Sequence, residues 1–433
     1  MKRLDLTQSL KPIEDFLAQR KADSSDVAEQ VEAIREQVRS RGWEAIAEYT
    51  EKFDGVKKEP KAEAFQVSQS DFDKACEDLD SSLAEAIQVS IDRVRNFHSR
   101  QKRQDWFLDE EGIRTGQLFR PLSRVGVYAP AGTAPLFSTL VMDTVPAQVA
   151  GCPSMVICSP PQKSSGTVHP LILGTSGLLG LEPGQIFAIG GAWAVFAMAY
   201  GLPGFERTNG IFGPGNQYVM EAKKQIQGEV KIESLPGNSE ILVIADDTAN
   251  PRHVAADLLS QAEHAGGEMS ILVTPSEKLL NEVDEQVKDL LSGMERKEIA
   301  ASSLKTGGVL ALVKNLDQAC EVANIVAAEH LEIQTEDSEK LIDKIEHAGA
   351  IFVGPWSTEP IGDYTAGTNH VLPTGGNARY SSALSVDDYM KKISVVHVKE
   401  QGIKLIGPPA MKLAEAEGLT GHKKAISLRL GEG

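Results

Sequence analysis

The feature that most limits how this chain can fold is a repeated sequence of short apolar run, glycine turn and helix. Residues 125–129, 155–159, 186–191 and 210–216 are mostly apolar and carry no charge, as buried strands do. Glycine-rich turns follow at 130–132, 190–191 and 213–215, and helical stretches join one run to the next. Strands that alternate with helices form a parallel sheet covered on both faces. Ligands of such sheets collect at the C-terminal ends of the strands. A second set of runs, 241–245, 269–274, 308–313 and 350–354, repeats the pattern. The expected fold class is α/β: two Rossmann-like parallel-sheet lobes, one inserted in the other, with a helical N-terminal arm and a helical C-terminal tail. The expected boundaries are 1–24 for the arm, 25–127 with 238–384 for the main lobe, 128–237 for the inserted nucleotide-binding lobe and 385–433 for the tail. Within the main lobe, 25–102 is expected to be helical, with apolar stripes through Val31, Ile34 and Val38 and through Leu83, Ile87 and Ile91.

At 433 residues the chain has length for two or three domains. A net charge of -17 argues against nucleic acid and against anionic membrane as partners. No apolar run reaches the roughly 18 residues that a membrane span needs. No apolar stretch of a signal peptide follows Met1-Lys2-Arg3-Leu4-Asp5. Cys76, Cys152, Cys158 and Cys320 are scattered, so neither a disulfide framework nor a thiolate zinc site is expected. They read as buried small residues of a reducing, cytoplasmic compartment.

Three places carry side chains suited to chemistry. Gln261 and His264 close a helical run that starts near Val254; three residues apart, they share a face and can bind a borderline metal such as zinc. Glu329 and His330 follow an amphipathic helix that begins near Asp317. There His suits acid–base work near neutrality and Glu can activate water. The loop 362–376 holds Asp363 and His370 among Gly, Thr and Asn, the make-up of a functional loop. Asp363 can supply a carboxylate to Gln261 and His264, and His422 in the tail offers a fourth ligand. The glycine turns of the inserted lobe suit a phosphate, hence a nucleotide.

At these residues the chain resembles the histidinol dehydrogenase family over nearly its whole length. The matching stretches are 126–142, 210–223, 239–264, 329–334 and 362–388, with Glu417-Gly418-Leu419-Thr420-Gly421-His422 in the tail. The resemblance implies oxidation of L-histidinol to L-histidine via L-histidinaldehyde in two NAD-dependent steps, the end of histidine biosynthesis. It implies one zinc per subunit, held by Gln261, His264, Asp363 and His422, which binds the amine and imidazole of the substrate. By the same resemblance His330 takes the alcohol proton and Glu329 activates water. Ser239, His370 and Glu417 hold the substrate, alongside the zinc ligands and His330. Tyr128 and Asn216 meet NAD. The family forms homodimers in which the tail crosses to the partner's site.

The departures lie on the nucleotide side. Trp193 replaces the Gln of the family's Gly-Gly-Ala-Gln, Ala131 replaces a Gly, and Pro236-Gly237-Asn238 replaces Ala-Gly-Pro. The indole of Trp193 accepts no hydrogen bond, and it places a large apolar face beside the expected nicotinamide lobe. Other readings are a paralogous zinc- and NAD-dependent dehydrogenase of another amino alcohol or of a sulfonated alcohol, a zinc hydrolase, and a zinc-binding protein that has lost NAD.

Overall fold

The uncharged runs of residues 125–232 form a five-stranded sheet in the computed structural model, which describes residues 1–20, 27–131, 134–234, 237–264 and 267–431. Along the sheet the strands are Ile186–Ala188, Met155–Ser159, Val125–Tyr128, Gly210–Phe212 and Lys231–Ile232. All pairs are parallel. Every residue of the first four is buried, because helices cover both faces. The helix Gly191–Tyr200 is apolar all round and lies inside the lobe. The strand order reverses beside Val125–Tyr128, so Tyr128 and the turn after Phe212 flank the switch-point crevice.

The large sheet is also parallel, in the order Lys2–Asp5, Gly308–Leu312, Met269–Thr274, Glu240–Ala245, His330–Gln334 and Ala350–Val353. The four strands expected from sequence are present within a residue of their ends. Two strands of this sheet were not expected. Lys2–Asp5 forms an edge strand, with Leu4 opposite Ala311. Leu4, Leu6, Ile13 and Phe16 are buried in the core of this sheet. The first twenty residues are therefore built into the large sheet rather than set apart as an arm, because only there do these apolar side chains leave water. His330–Gln334, read from sequence as a helix end, is an inner strand between Glu240–Ala245 and Ala350–Val353. The preceding helix, Leu316–Val326, stops at Ala327, which takes a left-handed φ of 52°.

A third sheet is antiparallel: Met390–Val398, Ile113–Pro121 and Trp106–Glu110. The two-residue turn Glu111-Gly112 has positive φ at both positions, 45° and 84°, as tight hairpins require. The tail, expected to be helical throughout, enters through this sheet before its helices Glu400–Ala416 and Thr420–Ser427. Among the described residues no helix is long and apolar enough to cross a membrane.

Candidate active site

The strand order of the large sheet reverses beside Glu240–Ala245. The C-terminal ends there are closed by Asp246, whose Oδ2 accepts from the Glu336 amide at 3.1 Å and whose amide donates to the Gln334 carbonyl at 3.4 Å. Polar groups gather instead at the N-terminal ends of the same two strands, with Ser239 and Glu240 heading one and Glu329 and His330 the other. For this lobe the expectation of a site at the C-terminal ends is thus corrected. A helix that follows a parallel strand runs back along it, so Pro251–Ala262 delivers Gln261 and His264 to the N-terminal edge. Its start is fixed by Asn250, whose side chain accepts from the Arg252 amide at 2.9 Å, and by Pro251 in the first turn.

Gln261 is fully buried, and among the described residues neither polar atom of its amide has a partner. Leaving such groups unpaired costs about 1–3 kcal/mol each, so the amide is poised for a ligand. The short helix Glu359–Tyr364 places Glu359 and Asp363 one turn apart on the same face. Burial raises both carboxyl groups, with the Asp363 charge pushing Glu359 up further. Ligand atoms of His330, Glu359 and Asp363 lie within 4.8 Å of one another. His264 is exposed just past the helix end, and its carbonyl is held by Arg296 at 2.8 Å. Its ring lies close enough to act electrostatically on Glu359, His330 and His370.

Glu329 and His330 are both fixed by Glu240. The Glu240 amide donates to Glu329 Oε2 at 3.1 Å. His330 Nδ1 lies 3.1 Å from the Glu240 carbonyl; a carbonyl only accepts, so Nδ1 carries the hydrogen. Nε2 is then the bare nitrogen, buried and without a hydrogen bond, 3.8 Å from Glu359 Oε1. Burial pushes the His330 ring down to about 3, which keeps it neutral. Burial drives Glu329 well above the ordinary carboxyl range. His370 donates from Nδ1 to the Asp363 carbonyl at 3.0 Å, leaving Nε2 to accept from the Thr139 hydroxyl at 3.2 Å.

On the nucleotide side, Tyr128 is buried and its hydroxyl accepts from the Gly191 amide at 3.1 Å. Gly213 has φ of 108°, and a Cβ there would collide with the Tyr128 carbonyl, so only glycine fits. The buried Lys223 donates to the Gly213 carbonyl and to Glu233, each at 2.5 Å, and Glu233 accepts from the Gly213 amide at 2.9 Å. This pair clamps the turn. Asn216 caps the next helix, its oxygen accepting from Tyr218 and Val219 amides at 3.0 and 3.2 Å. Trp193 is stacked against Tyr49 and Phe53, at centroid distances of 5.7 and 5.5 Å, and is 6% exposed. Its apolar face, expected beside the nucleotide, is covered by these two rings. Ala131 is buried and its carbonyl accepts from Gln162 at 3.0 Å; Asn238 donates to the Gly267 carbonyl at 2.9 Å. Gly132 and Pro236 lie outside the described residues.

The structure thus gathers Gln261, His264, Glu329, His330, Asp363 and His370 at one edge. Glu417 and His422 are exposed on the tail, and among the described residues neither belongs to the group of metal-type donors His330, Glu359 and Asp363. The sequence reading missed Glu240, Glu359 and the Lys223–Glu233 clamp. Glu359 had a signal, its four-residue spacing from Asp363; the clamp, ten residues apart, had none.

A family model described as histidinol dehydrogenase matches residues 17–430. A histidinol dehydrogenase of Heliobacterium mobile is 44% identical over 418 residues, covering 96% of this chain and 97% of the relative. One from Aquifex aeolicus is 45% identical over 399 residues, covering 92% and 91%. The crystal structure of histidinol dehydrogenase from Elizabethkingia anophelis superposes with a TM-score of 0.94 at 38% identity, covering 100% of this chain and 98% of that one.

Proposed function

Because the chain belongs to the histidinol dehydrogenase family, an NAD-dependent oxidoreductase family of histidine biosynthesis, we propose that its cleft oxidises L-histidinol to L-histidine through L-histidinaldehyde, with one zinc ion per subunit and NAD. The donor set fits zinc, which takes nitrogen and oxygen ligands. Gln261, with its unpaired buried amide, His264 and Asp363 would hold it, with His422 from a second copy. Bound zinc would supply charge that orients the amine and imidazole of the substrate and draws nearby carboxyls toward their ionised forms. The glycine-only turn at Gly213, with Tyr128 and Asn216 beside it, fits NAD, which accepts the hydride in each step.

In this reading His330 Nε2 takes the proton of the alcohol as its C–H bond gives up hydride. Glu329 takes a proton from the water that adds to the aldehyde carbon. Having passed its first proton to solvent, His330 then takes a hydroxyl proton of the hydrate as the second hydride leaves, giving the carboxylate of histidine. Ser239, His370 and Glu417 hold the substrate. The observation that carries the reading is the His330 ring, tied at Nδ1 and open at Nε2 among buried metal-type donors.

The tail supports a shared site. Leu405, Leu413 and Leu419 are exposed on it, and Trp356, Ile361 and Tyr364 are exposed on and beside the helix that carries Asp363. Two apolar surfaces of this kind suit a symmetric dimer in which each tail covers the other copy's cleft. The enzyme would work in a reducing cytoplasm, where its four free cysteines stay reduced.

Offering L-histidinaldehyde directly tests the two-step scheme. Glu329→Gln is expected to lose aldehyde oxidation by roughly 10²–10⁴-fold and to keep NADH-dependent aldehyde reduction. Equal loss of both would contradict the roles given to Glu329 and His330.

A further inference from the structure

Beneath the metal-type donors lies a second buried polar layer that none of these steps uses. Asp257 sits one helical turn before Gln261 on Pro251–Ala262. Glu332 sits two residues after His330 on its strand, hence on the same side of the sheet. Burial, and after it the neighbouring Asp257 carboxyl, holds Glu332 well above the ordinary carboxyl range. Apart from Gln334, their contacts run to one place, the start of the helix that carries Asp363. Asp257 Oδ1 accepts from the Thr358 hydroxyl at 2.8 Å, and Glu332 Oε1 accepts from the Glu359 amide at 2.8 Å. Gln334 Nε2 bridges the pair, at 2.7 Å from Asp257 Oδ2 and 2.8 Å from Glu332 Oε2. Asp257, Glu332 and Gln334 are all buried.

The first amides of a helix have no acceptor within it. Thr358, the cap residue of Glu359–Tyr364, makes no side-chain cap bond. Glu332 supplies the missing acceptor from another strand. The pair therefore joins three segments far apart in sequence, and these segments carry Gln261, His330 and Glu359 with Asp363. Apolar residues of similar volume would pack the layer at least as stably, since buried carboxyls lose hydration. They would leave the Glu359 amide unpaired and the donors free to drift relative to one another.

We propose that Asp257 and Glu332 are positioning residues that set the spacing of Gln261, His330 and Asp363 on these three segments, and through it the affinity of the site for zinc, without touching metal or substrate. The proposal rests on the zinc reading above.

The test is chelator-competition measurement of zinc affinity on the full chain. Two variants are compared with wild type: Glu332→Gln, and Thr358→Val, a near-isosteric change that removes one bond outside the carboxyl pair. Zinc affinity is expected to fall about 10–100-fold in Glu332→Gln and by the lower end of that range in Thr358→Val. The KM for histidinol should rise in both, while the zinc-free proteins melt as wild type does. Wild-type affinity in both variants, against a tight wild-type site, overturns the proposal alone. So does a lowered melting temperature with zinc affinity unchanged, which marks a purely structural layer. A wild-type protein with no tight zinc site removes the zinc reading, and the proposal with it.

Discussion

His330 is oriented by the backbone of Glu240: its Nδ1 lies 3.1 Å from the Glu240 carbonyl, while the amide of the same residue donates to Glu329 Oε2 at 3.1 Å. One peptide segment at the head of a strand thus sets the tautomer of the base and the position of the neighbouring carboxyl. The side chain of Glu240 faces a different task. Its Oε1 accepts from the Gly375 amide at 3.1 Å, and its Oε2 is buried without a partner.

Burial pushes Glu240 up to about 7 from an ordinary 4.5. The folded protein therefore keeps a proton that the unfolded chain releases above its lower pKa. The stability linked to that proton is fully present below pH 4.5 and is lost as pH rises through about 7. Glu240→Gln keeps the backbone contacts and abolishes the titration. In denaturant unfolding of the zinc-free proteins, the variant should gain on wild type across this window by roughly 3 kcal/mol. A difference that stays flat with pH would contradict this.

Trp193 is a packing residue, clustered with Tyr49 and Phe53. Trp193→Gln is expected to lower stability by roughly 3 kcal/mol, as truncation of a buried aromatic does. It should also tighten NAD binding, since the amide restores hydrogen-bonding capacity. Thermal melting and an NAD titration measure the two effects. Weaker NAD binding would mean that the indole itself contacts the cofactor.

Much of this arrangement is legible in the sequence, for a physical reason. Strands buried on both faces, such as Met155–Ser159 and Met269–Thr274, must be apolar throughout, and their runs stand out. Trp106–Glu110 is exposed along its whole length and shows no such signal. His330–Gln334 was hidden because Ala327, not glycine, takes the left-handed position that ends the preceding helix. Gln261 and His264 were readable because they are three apart where a helical run closes, although the helix itself stops at Ala262. Which edge of the sheet they reach was not, because that depends on where each helix ends relative to strands distant in sequence. Glu240 acts mainly through its amide and carbonyl, which every residue has, so its role leaves no mark in the sequence.

The exposed His422 leads to a complementation experiment. His264→Asn and His422→Asn should each be nearly inactive alone. Co-expressed, half of randomly paired dimers are mixed, and one site in each mixed dimer combines an intact body with an intact tail. About a quarter of all sites should then work. Mixed dimers as inactive as their parents would place His422 in its own subunit's site.

The central claim is that one cleft carries out both oxidations. Its most direct test is the yield of NADH when limiting L-histidinol is consumed to completion by purified protein with excess NAD. Two NADH per histidinol, with histidine as product, is the predicted result. One NADH per histidinol, with the aldehyde accumulating, would contradict it.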